Sequence, residues 1–479
     1  MDEPITIGGR VWVPGNRWDL VTQLAPPDAG SRGVAVIVPY FEQPSSLRRM
    51  YAALATADLE DDRYEVVVVD DGSTDHPPPP PPADLALSVR RLRQDDRGCR
   101  PGAARNLGVR ATDAEVLVFL DADTLPGPGT VRRLAAWPAV LPDVLVVGRR
   151  RHVDLEGWSP EDTSRWLRGE RPGPDPRPDP DWLADGYRET RNLLDADDRS
   201  YRYIISSVMS CSRELFDDVG GFDDGRDRYG SEDWDFAARA FNNGAVLVHD
   251  PTADAFHDEP DRADRDNDSG DSDDADADRN EEALWLASRV PDPGTRSPAV
   301  IHPFPDTIMV VDLAPTVTEG QLVATVLSAL EAISDVSIHV VSPAPAIALD
   351  HFRRDPRIVV TPPTPQARLR ARAHVTLRAP VCWAESRLPD LLTRIRPGAA
   401  DVVHVTDDGE PADDGADLVT LAATRAIGRA RRASCAGVGA DDLRRIIGHT
   451  WCRPDAVGAT LLTGDVDLQA VFGGWASPS

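Results

Sequence analysis

The chain has 479 residues, enough for two or three domains with substantial cores. Its formal net charge of -28 argues against nucleic acid and against an anionic membrane surface as partners. Lysine is absent, which excludes a Walker-type phosphate lysine and Schiff-base chemistry and leaves anionic substrates to Arg, backbone N–H groups or a metal.

Ile5–Ile7 and Arg10–Val13, joined by Gly8-Gly9, predict a short N-terminal hairpin. Val34–Val38 and Glu65–Val69 are apolar throughout. With the helical spacing of Leu47, Met50, Tyr51 and Leu54 between them, they predict a parallel βαβ unit. Pro77–Pro82 imposes a stiff extended loop. A third strand is expected over Leu87–Leu92 and a helix over Gly102–Arg110. Val116–Leu120 then predicts a buried strand that delivers Asp121 and Asp123 to its carboxyl end. Two carboxylates spaced i, i+2 repel unless something positive sits between them, and a hard divalent cation suits oxygen ligands. In isolation a solvated Asp-x-Asp turn is the simpler reading, and the rest of the chain reverses that preference.

Val144–Val147 is a further strand, and Arg171–Pro180, alternating Arg, Pro and Asp, reads as an exposed loop. Gly220-Gly-Phe-Asp223 makes a turn, and Trp234–Phe241 has helical spacing behind the acidic pair Glu232-Asp233. Val246–Val248 is a short strand leading to His257. From Asp258 to Glu282 there are 13 acidic residues against 3 arginines, too charged to fold alone, so 258–290 is expected to be an acidic disordered linker. This makes 1–257 one domain and 291–479 another. The second opens again with strand, helix and strand over Ile308–Val311, Gln321–Ile333 and Val336–Val341. Val381–Pro389, with Trp383-Ala-Glu385, is set against Leu120–Pro126, and Asp401-Val-Val-His-Val against Asp143-Val-Leu-Val-Val. On that alignment residues 291–479 read as a degenerate repeat that has lost the paired carboxylates, beside the plainer reading of a generic α/β domain.

Val36-Ile-Val-Pro-Tyr40, Val67–Asp75, Gly102–Gly108, Phe119–Asp123, Gly220–Asp223 and Gly230-Ser-Glu-Asp-Trp-Asp235 together resemble family-2-like glycosyltransferases of the GT-A fold with a galactosyltransferase-type acceptor motif. The resemblance covers about 34–257. It implies an α/β fold with a mostly parallel sheet flanked by helices, followed by a smaller α/β domain. It also implies an inverting transfer of a hexosyl or N-acetylhexosaminyl group from a nucleotide-diphosphate donor, a UDP-sugar, to a carbohydrate, lipid-linked or small-molecule hydroxyl acceptor, with Mn2+ or Mg2+.

By resemblance Pro39, Tyr40 and Glu42 line the base pocket, and Asp71, beside Asp70, holds the uracil or ribose. Arg105 and Asn106 fix donor sugar or phosphate. Asp123 and His257 bind metal, with Asp121 on metal through water or on ribose; His249 is the substitute for His257. Asp233 is the base and Glu232 orients the acceptor. Ser231 departs from the family's usual Gly. Structural readings stand beside these: an Asp-Gly turn at Asp71, a helix-surface Arg105, and a helix-cap pair at Glu232-Asp233.

The competing class is a non-catalytic nucleotide-sugar or glycan-binding partner in a glycan-assembly complex, which fits the C-terminal domain. A nucleotidyltransferase lacks the Gly-rich basic signature it needs. Cysteines 99, 211, 382, 435 and 452 form no Cys-x-x-Cys pair, so a reducing cytoplasm is expected. No apolar run reaches the length of a membrane span, which leaves only peripheral membrane contact open.

Overall fold

In the computed structural model the described residues are 3–24, 33–58, 64–85, 87–258, 272–341, 350–384, 387–392, 395, 400–411 and 417–472. Two compact units emerge: Met1–Phe241 with Ala245–Leu286, and Asn242–Gly244 with Ala287–Ser479.

The first unit begins with the hairpin β1 (Ile5–Ile7) and β2 (Arg10–Trp12), turned by Gly8 and Gly9 at positive φ. Its main sheet comprises β3 (Val34–Tyr40), β4 (Tyr64–Asp70), β5 (Val89–Arg93), β6 (Val116–Leu120), β7 (Thr124–Pro126), β8 (Val144–His152), β9 (Val208–Ser212) and β10 (Val246–His257). The strands lie in the order β5-β4-β3-β6-β9-β8-β10-β7. β3 pairs in parallel with β4 and β6, β4 with β5, and β8 with β10, while β9 runs antiparallel to β6 and β8.

Every residue of β3 and β6 is buried, which is why these segments read as unbroken apolar runs. The chain leaves β3 toward β4 on one side and returns to β6 on the other. That reversal opens a crevice at the carboxyl ends of the strands. The helix Pro101–Arg110 lies close on β3: a Cβ on Gly108 would sit 2.6 Å from Ile37 Cγ2, so glycine is required there. This mixed α/β architecture, with its mostly parallel sheet, is the one the GT-A resemblance implies.

β10 is much longer than the three residues expected. A register shift between Asp250 and Asp254 lets its second half pair with β8 on one side and, antiparallel, with β7 on the other.

The expected linker is corrected in its second half. Ser272–Arg289 is a helix, and Leu286 near its end is buried. The first unit supplies what the acidic run lacks. The Arg226 guanidinium stacks on Trp285 at 4.5 Å and pairs with Glu281 at 3.2 Å, and Arg228 pairs with Asp278 at 3.6 Å. The preceding stretch from 259 lies outside the described residues.

The second unit has a seven-stranded sheet made of β11 (Thr307–Val311), β12 (Val336–Val340), β13 (Ile358–Val359), β14 (Ala373–Leu377), β16 (Val402–Val405), β17 (Val419–Ala423) and β18 (His449–Cys452). Separately, β15 (Val381–Trp383) pairs with β19 (Ala459–Leu461). Met309, Val311, Val326, Ile338, Val375, Leu377, Val405 and Leu421 form its core.

The sheet order is β13-β12-β11-β14-β17-β16-β18. It repeats β5-β4-β3-β6-β9-β8-β10 strand for strand, with the same direction in every pair. The antiparallel β15/β19 pair likewise follows β14 as β7/β10 follows β6. The alignment made on sequence is therefore corrected. Arg378-Ala-Pro380, between β14 and β15, occupies the topological place of Asp121-Ala-Asp123. Trp383 belongs to β15, and Glu385 lies outside the described residues. Aligning on the later proline displaced the register.

Candidate functional site

A cleft of about 420 Å³ opens at the carboxyl edge of the first sheet. Pro39, Tyr40, Asp71, Arg105, Asp121, Asp123, Glu232, Asp233 and His257 all contribute to its wall. Asn106, Glu42 and Asp70, also expected to face the donor, do not.

At the end of β6 the chain reverses into β7, and the β7/β10 register sets Thr124 opposite His257. His257 Nδ1 lies 3.3 Å from Asp123 Oδ1 and 3.0 Å from the Thr124 hydroxyl. Burial alone would raise the Asp123 carboxyl. The His257 imidazole and the Thr124 hydroxyl outweigh it and hold Asp123 below the ordinary value. Among the described residues no three His, Cys, Asp or Glu side chains form a metal cage. The Asp123–His257 pair does bring an oxygen and a nitrogen donor side by side in the cleft wall, and its carboxylate suits Mn2+ or Mg2+. His249, the substitute ligand, instead hydrogen-bonds Asn192 at 2.8 Å and stacks on Tyr187.

Arg105 is 2% exposed and bridges two carboxylates, Asp121 at 2.6 Å and Glu232 at 2.9 Å. Burial works against the guanidinium charge, and the two carboxylates more than restore it, so its pKa rises. These bonds make Arg105 a strut joining the β6 end to the helix Glu232–Asn242. Asn106 is bonded within the protein as well. Its amide donates to the Phe222 carbonyl and accepts from the Phe222 N–H, both at 2.9 Å, clamping the Gly220–Asp223 turn.

At the β3 and β4 ends, Glu42 stands at φ 51 and accepts the N–H groups of Thr74, Asp75 and His76. Asp70 is divided between Ser73 N–H at 2.9 Å and Arg93 at 2.8 Å. Turn amides consume Glu42, and a turn amide with the Arg93 guanidinium consumes Asp70, which sequence spacing does not reveal. Asp71 does line the cleft. It accepts from Gln94 at 2.6 Å and Arg100 N–H at 2.7 Å, while burial pushes its carboxyl up. Tyr40 donates its hydroxyl to the His76 carbonyl at 2.5 Å, and burial raises it to about 12.

Asp233 stands in the first turn of its helix, accepting Ser206 N–H at 3.3 Å and Trp234 N–H at 2.8 Å. Burial and the neighbouring Glu232 charge push its carboxyl up to about 7, against the pull of Arg105. A carboxyl so poised exchanges a proton near neutral pH. Ser231 just before it takes the left-handed conformation, φ 64, that glycine favours, and its hydroxyl donates to Glu282 at 2.7 Å.

Sequence reasoning missed Trp182, Ser206, Arg150 and Glu282, which also line the cleft. Trp182 comes from the helix Asp181–Glu189, just beyond the Arg/Pro/Asp stretch, and Glu282 from the acidic run. Of these four only Trp182, an aromatic side chain beside a polar stretch, carried a signal.

Residues 35–219 match the profile of glycosyl transferase family 2, and residues 196–253 match one described as the N-terminal domain of galactosyltransferase. Hyaluronan synthase of Pasteurella multocida is 26% identical over 243 residues, 48% of this chain and 25% of that protein. Chondroitin synthase of Escherichia coli is 25% identical over 240 residues, 48% of this chain and 35% of that one. Validoxylamine A glucosyltransferase of Streptomyces hygroscopicus subsp. jinggangensis is 30% identical over 234 residues, 45% and 53% of the two chains. The matches thus span from a quarter to about half of these relatives. Among solved structures, a mannosyltransferase from Pyrobaculum calidifontis in complex with GDP-Man and Mn2+ aligns at TM-score 0.35 and 20% identity, covering 52% of this chain and 63% of that one. GalNAc-T7 with UDP, GalNAc and Mn2+ aligns at TM-score 0.34 and 16% identity, covering 48% and 44%.

Proposed function

Because residues 35–219 match the profile of glycosyl transferase family 2, we propose that the chain is an inverting, metal-dependent glycosyltransferase. It moves a hexose or N-acetylhexosamine from a nucleoside diphosphate sugar, a UDP-sugar, to a hydroxyl acceptor. The observation carrying this reading is one cleft wall that holds both the Asp123–His257 donor pair and Asp233, a carboxyl pushed up to about 7.

In this reading the acceptor oxygen attacks the anomeric carbon while Asp233 takes its proton, and the bond to the diphosphate breaks on the opposite face. Attack from that side inverts the centre. The divalent cation, Mn2+ or Mg2+, supplies charge stabilisation to the departing diphosphate. Asp123 and His257 would hold it, with Asp121 through a water. Asp71 receives the nucleoside, and Pro39 and Tyr40 shape its pocket. Arg105 acts through Asp121 and Glu232 as a positioning residue.

For the second unit the reading is a degenerate copy of the first without transfer chemistry, acting as a binding partner. Its identical strand order supports the copy, and Arg378-Ala-Pro380 in the Asp-Ala-Asp place supports the loss. Among the described residues no helix is long and apolar enough to cross a membrane. Five free cysteines agree with a cytoplasmic location.

The decisive experiment screens nucleotide sugars with Mn2+ and reads donor hydrolysis without acceptor. One or more UDP-sugars should be hydrolysed, and EDTA should abolish it. Full hydrolysis in EDTA removes the metal from the reading, and no hydrolysis of any donor removes the transferase.

A further inference from the structure

The helix Ser272–Arg289 brings a residue of the acidic run into the cleft. Arg226, 5% exposed, is the hinge of that arrangement. Its Nε donates to the Gly230 carbonyl at 2.6 Å and its Nη2 to the Tyr229 carbonyl at 3.2 Å. The same guanidinium pairs with Glu281 and stacks on Trp285. One cation therefore fixes both the 229–231 turn and the helix opposite it. The result is that Glu282, one residue on from Glu281, lines the cleft and accepts the Ser231 hydroxyl at 2.7 Å.

Around Glu282 the wall pairs acid with aromatic surface. Tyr229 is 57% exposed and Trp182 42% exposed, and Trp182 meets Trp234 edge-on at 6.2 Å. Such faces stack on the C–H side of a sugar ring while carboxylates take its hydroxyls. The charge balance of the wall is one-sided. Asp71, Asp121, Asp123, Glu232, Asp233 and Glu282 face Arg105 and Arg150, and Arg105 is already shared by Asp121 and Glu232.

We propose that Glu282 is a specificity-determining residue of the acceptor site. It selects a hydroxylated ring without negative charge, resting on Tyr229 or Trp182, and rejects acceptors that carry a carboxylate. The proposal rests on reading the cleft as that of a glycosyltransferase, and it names the acceptor class that reading leaves open. A carboxylate brought beside Glu282 and Glu232 meets like charge in a partly desolvated wall, a juxtaposition that strongly disfavours the wrong partner.

The test offers the full chain matched 4-nitrophenyl glycosides, the β-glucoside, β-galactoside and β-N-acetylglucosaminide against the β-glucuronide and β-galacturonide. The donor is whichever nucleotide sugar the hydrolysis screen identifies. At least one neutral glycoside should exceed its anionic counterpart in kcat/KM by roughly tenfold or more. Glu282→Arg should lower that ratio to near one or below, mainly through the KM of the anionic glycoside. Ser231→Ala removes the same hydrogen bond but keeps the carboxylate, so it should retain the ratio. Because the ratio compares two acceptors on one preparation, loss of folded enzyme does not move it.

Equal use of neutral and anionic glycosides overturns the proposal, as does transfer to no neutral glycoside while donor hydrolysis proceeds. An unchanged ratio in Glu282→Arg, or the same collapse in Ser231→Ala, also overturns it. Failure of donor hydrolysis itself would instead remove the transferase reading.

Discussion

The two sheets of this chain have the same strand order and the same strand directions, yet their carboxyl edges carry different side chains. After β6 come Asp121 and Asp123; after β14 come Arg378 and Pro380. The β7/β10 register sets His257 against Thr124, and the β15/β19 register sets Leu461 against Val381. A sheet survives on any apolar strands that fill its core, whereas chemistry hangs on a few polar positions at strand ends.

The acidic pairs sharpen the contrast. Glu232-Asp233 and Asp441-Asp442 both open a helix after a glycine-containing turn, at the same place in the topology. Asp441 is 98% exposed and Asp442 40% exposed, each paired with an arginine three residues on. Asp233 faces the cleft and is pushed up to about 7. Similar residues at a similar position make a solvated helix start in one unit and a cleft-facing carboxyl with a raised pKa in the other. Burial decides between them.

The largest expected difference lies at the loop after β6 and β14. Asp123→Ala should cut turnover by about 10³-fold, the scale of losing metal-borne charge stabilisation. Arg378→Ala should change it less than about twofold, the scale of a surface substitution. A comparable loss in both variants would show that the second unit also carries chemistry.

Next comes the acidic pair. Asp233→Asn should lower kcat by about 10²-fold, while Asp442→Asn leaves it unchanged. The wild-type rate should fall as pH drops through about 7, the point to which Asp233 is pushed. Stability has the opposite sense. A carboxyl whose folded pKa lies above its unfolded value favours folding below about 4 and loses that contribution as pH rises through about 7. The Tm advantage of Asp233→Asn over wild type should therefore grow between pH 4 and 7 and then level off. An advantage that shrinks with rising pH would contradict the burial argument.

The smallest effect is expected at Ser231→Gly. It relieves a left-handed φ costing about 1 kcal/mol and removes one hydrogen bond worth about as much, so Tm should move by a few degrees at most. A much larger drop, measured by calorimetry, would mean that Ser231 holds the helix Ser272–Arg289 in place.

What the sequence made legible follows from the same physics. β3, β4 and β6 are buried on both faces and announce themselves as apolar runs, and their ends point to the carboxylates that line the cleft. Long-range partners are not written locally. Arg105 reads as a donor-phosphate contact or a surface helix residue until Asp121 and Glu232 enclose it. Glu42 and Asp70 read as cleft acids until turn amides, and for Asp70 also Arg93, take up their oxygens. Glu282 sits in a run whose charge argues for disorder, and Arg226, Arg228 and Ser231 supply the missing contacts from far along the chain. The Leu377-Arg-Ala-Pro match to Leu120-Asp-Ala-Asp was present in the sequence, but the β15/β19 pairing was needed to choose it.

The β7/β10 pairing also sets a schedule. Thr124 and His257 are 133 residues apart, and Arg105 and Glu232 are 127 apart. Contacts of such sequence separation form late, because loop closure must be achieved before they stabilise anything. On a ribosome the chain beyond residue 250 must emerge before β10 can complete this edge of the sheet. A nascent or partly folded chain therefore lacks the Asp123–His257 pair even when β3, β4 and β6 are in register, and the pair serves as a marker of finished folding.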